Sequence, residues 1–269
     1  MRTIKLTLII LLAAVTALFG FAKISGALSG EDEGPSITCD GQALEISVHD
    51  GQEVLLAGVT AEDAQDGDLT GEIILSGVSQ LITEDTAIVT YLVFDSDDNM
   101  AQLQRSLRYT DYRKPQLRVL EPLVFGTDNT SDLLSRLSAE DVIDGDISSR
   151  IRLSNLWATE NTDLYSVTVL VTNSMGDTAR LELPVIVQDE LSGRPVINLK
   201  SQLIYLEQGE AFDAMEYLTS VTVRGEVQPL NQVEVENEVD TGVSGSYWVR
   251  YTYSADGIQG TAVLTVVVM

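Results

Sequence analysis

The sequence matches itself at a shift of 78 residues, without a gap, and no other feature constrains its fold as strongly. Asp63, Asp66, Gly67 and Asp68 fall on Asp141, Asp144, Gly145 and Asp146. Val89, Tyr91 and Val93 fall on Val167, Val169 and Val171, Asp95 on Asn173, Ala101 on Ala179, and Asp111 on Asp189. The openings "PSI" at Pro35, "PQL" at Pro115 and "PVI" at Pro195 stand 80 apart, so a third copy runs from about Pro195 to the end. Units of about 80 residues are too long for solenoid repeats and suit small domains in tandem.

Inside each unit the period is two. Ala87, Val89, Tyr91 and Val93 share one face of the first copy, Tyr165, Val167, Val169 and Val171 of the second, and Tyr247, Val249, Tyr251 and Tyr253 of the third. Hydroxyl residues often stand between them, the alternation of a half-buried strand. A polar turn ("SDDN", "SMGD", "ADGIQG") and a second alternating run follow, which makes a hairpin. No long stretch after residue 30 has a strong helical period. The predicted class is all-β: three tandem immunoglobulin-like β-sandwiches after an N-terminal hydrophobic helix. The expected boundaries are 31–111, 112–189 and 190–269.

The first 30 residues read as an export segment. Arg2 and Lys5 precede the uncharged stretch Leu6 to Ala22, and Lys23 follows. Its length favours a retained membrane anchor over a cleaved signal, although Ser25 and Ala27 suit cleavage after Ala27. The basic residues before it place the amino end in the cytoplasm and the remainder outside. With 41 acidic against 16 basic residues, a net charge of -25, the chain repels phosphate backbones, which excludes nucleic acid as a partner. Cys39 stands alone, so no internal disulfide forms.

The Pro-x-aliphatic opening, the Asp-x-x-Asp-Gly-Asp-aliphatic-hydroxyl run, the Tyr-x-Val-x-Asp strand end and a closing strand ending in Asp resemble the bacterial immunoglobulin-like surface repeats. Those repeats are similar in style to hyalin-repeat and cadherin-like modules. The resemblance covers Pro35 to Asp189 well and Pro195 to Met269 weakly, because Arg224, Gly225 and Glu226 replace Asp-Gly-Asp. It implies a fold and an extracellular location. Members of that family serve mostly as spacers, adhesive modules or accessories beside enzymes, so it implies no ligand.

The doubled runs "DAQDGDLTGEI" and "DVIDGDISSRI" have three readings. The favoured one is a structural turn: Gly67 and Gly145 supply positive φ, Asp66 and Asp144 accept from amides two residues on, and Asp68 and Asp146 cap the following segment with Thr70 and Ser148. The second is weak calcium at Asp63, Asp66, Asp68, Asp141, Asp144 and Asp146, since carboxylates suit a hard ion. The spacing is not that of an EF-hand. The third, a catalytic carboxylate pair, fits poorly with a motif copied at one internal position of two small domains. His49 has no nucleophile elbow near it, and no zinc pair, Walker loop or dinucleotide fingerprint is present. No catalytic residue is assigned.

Two stretches hint at binding. Trp248 and Arg250 lie opposite the Tyr247, Val249, Tyr251 face and can stack on a sugar or anchor a partner; the favoured reading is that a neighbouring loop or domain covers Trp248. Ile88, Leu92 and Phe94 lie opposite Val89, Tyr91 and Val93 and form an apolar patch if that face is wet; packing against the second unit or a further strand of the same domain is the favoured reading. The sequence therefore predicts a non-catalytic surface or secreted protein, a spacer or adhesive module with a surface protein or glycan as partner. The alternative is an accessory protein that captures polysaccharide or peptide through its third domain.

Overall fold

The computed structural model describes residues 34–269 except 42, 128–131, 159–162 and 189–190. The expected N-terminal helix and its anchoring role lie outside the described residues. Among these, no helix is long and apolar enough to cross a membrane. The described chain has 21 strands and short 3-10 turns.

Seven strands recur three times. The first set is β1 (Ser36–Cys39), β2 (Ala43–Ile46), β3 (Val59–Asp63), β4 (Gly67–Asp68), β5 (Ile74–Val78), β6 (Thr86–Phe94) and β7 (Met100–Tyr109). The second is β8 (Gln116–Val119), β9 (Val124–Gly126), β10 (Leu137–Asp141), β11 (Gly145–Asp146), β12 (Arg152–Ala158), β13 (Leu164–Thr172) and β14 (Thr178–Gln188). The third is β15 (Val196–Leu199), β16 (Leu203–Leu206), β17 (Leu218–Val223), β18 (Glu226–Gln228), β19 (Glu234–Asn237), β20 (Gly245–Ala255) and β21 (Ile258–Val268). Each set forms a three-stranded sheet, ordered β1-β3-β4 in the first, and a four-stranded sheet, ordered β2-β7-β6-β5. All pairings are antiparallel but one per set: β2 on β7, β9 on β14 and β16 on β21 run parallel.

The alternation in sequence becomes the two faces of β6, β13 and β20. Ala87, Val89, Tyr91 and Val93 are fully buried, as are Val169 and Tyr251 in the equivalent register, each opposite an equivalent position of the neighbouring strand: Leu75, Leu153 and Val235. Tyr91 and Tyr251 bury their hydroxyls as well, and each finds a main-chain acceptor, Leu55 O at 2.5 Å and Ala214 O at 2.7 Å.

The described chain divides into two compact units, one formed by the first sandwich and one that holds the second and third together. The physical reason for the larger unit is a shared seam. Leu203 is buried within the second sandwich's core cluster, and Tyr205 and Val267 pack against it. The Tyr205 hydroxyl accepts from Leu117 N at 3.0 Å and donates to Leu117 O at 3.1 Å, taking the place of a neighbouring strand for that residue. A second cluster joins Leu164 and Ile186 to Val263, with Val124 and Trp248 against it.

Candidate functional site

The doubled Asp-Gly-Asp runs form a tight turn between β3 and β4 and between β10 and β11. Gly67 (φ +76°) and Gly145 (φ +70°) take the left-handed conformation that lets the two-residue return strand pair at once. The acids divide the labour differently from the sequence reading. It is Asp63 and Asp141 that close the turn: Asp63 Oδ1 accepts from Gln65 N (2.7 Å) and Asp66 N (2.9 Å), and Asp141 Oδ1 from Ile143 N (2.9 Å) and Asp144 N (3.0 Å). Asp68 and Asp146 accept from Thr70 N and Ser148 N, both at 2.9 Å.

Asp66 and Asp144, expected to hold their own turn, instead reach the other sheet. Asp66 accepts from Ser96 N (2.7 Å) and Ser96 Oγ (2.9 Å), and Asp144 from Ser174 N and Oγ, both at 2.6 Å. The two serines sit in the β6–β7 and β13–β14 hairpin turns, so each aspartate ties the two sheets of its sandwich at one end. The third sandwich makes the same tie with different chemistry. Arg224 (φ +51°) and Gly225 (φ +86°) form the turn, and Arg224 pairs with Asp256 of the β20–β21 turn at 3.3 Å.

Hydrogen bonds favour the charged form of four of these carboxylates, Asp63, Asp68, Asp144 and Asp146. Amides of Asp66 and Gln65 hold Asp63 below the usual aspartate range, and Thr70 and Ser148 do so for Asp68 and Asp146. Burial pushes Asp144 up, but Ser174 and Arg150 outweigh it. Among the described residues no three His, Cys, Asp or Glu side chains converge to hold a metal ion.

The first and second sandwiches part at one point. In the second, Asp141 Oδ2 accepts from Asn173 Nδ2 at 3.0 Å, and the same nitrogen donates to Tyr112 Oη, which donates to Asp177 at 2.8 Å. In the first, Asp95 replaces Asn173 and Asn99 replaces Asp177. Asp95 accepts from Asn99 Nδ2 (2.8 Å), Asn99 N and Asp97 N, and Asp63 Oδ2 is left buried without a hydrogen-bond partner among the described residues. In the third, Val223 stands where Asp63 and Asp141 do, Ala255 where Asp95 and Asn173 do, and both pack against the apolar core.

The two residues singled out for ligand binding lie on the outer face of β20, in the larger unit. Trp248 is half-buried against the Leu164, Ile186 and Val263 cluster. Arg250 lines a polar cleft of about 460 Å³ with Asp163, Arg194, Glu234, Glu236 and Gln259. The cleft's other side comes from the second sandwich, so no run of the sequence alone could have shown it.

No family model matches the chain. It is 31% identical over 122 residues to an uncharacterized 81.3 kDa protein of Acholeplasma phage L2; the match takes in 45% of this chain, which spans 15% of that protein's length. Among solved structures, it is similar to the M60 catalytic domain with the CBM51-1 and CBM51-2 domains from Clostridium perfringens ZmpB: 13% identity, 87% of this chain, 30% of that one, TM-score 0.24. A protocadherin GammaB4 extracellular domain matches at 11% identity, 89% of this chain, 52% of that one, TM-score 0.22.

Proposed function

We propose that this chain is a non-catalytic extracytoplasmic protein, anchored by its amino end or secreted, in which three domains (31–111, 112–189 and 190–269) act as spacer and adhesive interaction module. The observation that carries this reading is the use of the repeated acids. The chemistry-bearing residues written twice in the sequence accept hydrogen bonds that hold a turn or tie two sheets together, and the third sandwich makes the same tie with Arg224 and Asp256. A motif replaceable by an ion pair is a fold device. Calcium enters this reading only as a weak ligand of the first sandwich, because Asp63 alone of the six acids retains a buried oxygen with no partner among the described residues.

The cleft around Arg250 supports a second reading, capture of a polysaccharide or peptide in which the third domain takes part. Its mixed acids, guanidinium groups and amides suit a polar, uncharged ligand. The test is the full chain, held in neutral detergent, on glycan and peptide arrays and on intact cells. Retention on cells without a discrete array hit supports the spacer and adhesive reading. An array hit weakened by Arg250→Ala supports capture. Cleavage of any arrayed bond would overturn the non-catalytic assignment.

A further inference from the structure

A second cavity, of about 230 Å³, adjoins the polar cleft around Arg250. Gln188, Arg194 and Thr261 line both, so the two share a wall. Prolines and aliphatic side chains line most of the cavity, among them Pro122, Pro184, Ile186, Pro195 and Val263. Leu191 and Val196 line it too and are 45% and 53% exposed, so it opens to water. The segment that leads into β15 fixes the shared wall. Arg194 donates to Gln259 O at 2.9 Å. The Pro195 carbonyl lies so close to β21 that a Cβ at residue 260 would run into it, a clash that Gly260 avoids.

Cavity and cleft ask for different chemistry. The cavity suits an apolar group, since filling it removes that group and the exposed Leu191 and Val196 from water. The cleft offers acceptors at Asp163, Glu234 and Glu236 and donors at Arg194 and Arg250. Its charges stand near their opposites: Glu236 lies across the β19–β20 ladder from Arg250. A ligand there needs donors and acceptors of its own rather than a net charge. An extended peptide meets both demands. Its main chain presents an N–H and a C=O at nearly every residue. Its side chains alternate between two sides, so one enters the cavity while its neighbours point away. A polysaccharide carries hydroxyls all along its length, and a hydroxyl placed in the apolar cavity would lose its water.

We propose that cavity and cleft are two subsites of one peptide-binding site. The cavity takes a single aliphatic side chain of an extended peptide, and the cleft takes the main chain beside it. Arg194 stands in the shared wall, where that side chain leaves the main chain. Together the two spaces fall in the size range of small-ligand sites, about 300–1,000 Å³. Their walls come from β14 of the second sandwich and β21 of the third, so the site exists only while these two sandwiches are packed together.

The proposal rests on the capture reading and names the ligand class within it. It is tested with the full chain in phosphatidylcholine vesicles, where no free detergent competes for the cavity. Fluorescent end-blocked peptides Gly-Gly-Xaa-Gly-Gly and, separately, oligosaccharides of glucose and of N-acetylglucosamine are titrated to about 5 mM, the range of a weak small ligand. Peptides with Leu or Val at Xaa should bind at least about tenfold more tightly than those with Gly or Asp, since each buried methylene contributes about fourfold in affinity. Val196→Asp should remove that preference, and Arg250→Ala should weaken all the peptides alike. Ile82→Asp, at an exposed residue of the first sandwich, should change neither. Thermal melting of each variant confirms that it folds. Equal binding across Xaa, no peptide binding, or a Val196→Asp variant that keeps the preference would each overturn the proposal. Oligosaccharide binding weakened by Arg250→Ala, without peptide binding, would overturn it and leave the capture reading standing.

Discussion

Asp63 and Asp141 accept the same pair of turn amides, yet among the described residues only Asp141 has a donor for its second oxygen. The difference is one exchange, Asp95 and Asn99 against Asn173 and Asp177. An unpaired buried polar atom costs about 1–3 kcal/mol, and restoring its partner recovers part of this. Asp95→Asn together with Asn99→Asp should therefore stabilise the first sandwich, seen as a rise in its melting temperature. Asp95→Asn alone should give less, because the new amide then meets the Asn99 amide. Calcium discriminates further. A shift confined to the first sandwich and lost in the double variant places a weak ion at Asp63. A large shift in the second would overturn the assignment of Asp141, Asp144 and Asp146 as turn acids. The paired acids stood out in the sequence, but their partition did not. Which carboxylate closes the turn and which crosses to Ser96 or Ser174 depends on the distance between two sheets, and no local spacing encodes it.

At the level of the strand, alternation carried most of the information. The period of two placed Val89, Tyr91 and Val93 inward, and all three are fully buried. Replacing Tyr91 tests that register against its hydroxyl. Tyr91→Phe should cost about 1 kcal/mol, since it leaves Leu55 O without its donor, and Tyr91→Ala about 3–5 kcal/mol, since it opens a cavity under the sheet. Equal melting of the alanine variant and the parent would mean that the face is not packed. The same alternation breaks at Arg105, an inward position of β7 that is 6% exposed. Its guanidinium donates to Ala57 O at 2.8 Å and pairs with Asp40 at 3.4 Å, contacts 48 and 65 residues away in sequence. The parallel strands β2, β9 and β16 were also illegible. Three or four residues are too few to show a period, and the partner of each lies at the far end of its domain.

The three sandwiches read as separate domains in sequence, but their coupling is unequal. The seam formed by Leu203, Tyr205, Val263 and Val267 makes the second and third sandwiches parts of one compact unit. Trp248 shows how far the sequence went: cover by a neighbouring loop or domain was the expected reading, but an aromatic on the outward face of a strand has the same pattern whether it meets a ligand or a domain, so the partner surface was not legible. Domains whose cores share buried residues unfold together, because exposing one removes part of the apolar burial that holds the other. Calorimetry of the full chain should accordingly give two transitions and not three. Unfolding enthalpy scales at about 0.7 kcal/mol per residue, so the larger transition should carry about twice the enthalpy of the smaller. Tyr205→Ala removes both hydrogen bonds to Leu117 and part of the seam, and Trp248→Ala removes the side chain packed on Leu164 and Ile186. Together they should split the larger transition into two of similar enthalpy while the smaller stays in place. Three transitions in the parent, or a larger transition that remains single in the double variant, would show that the seam does not couple the two sandwiches.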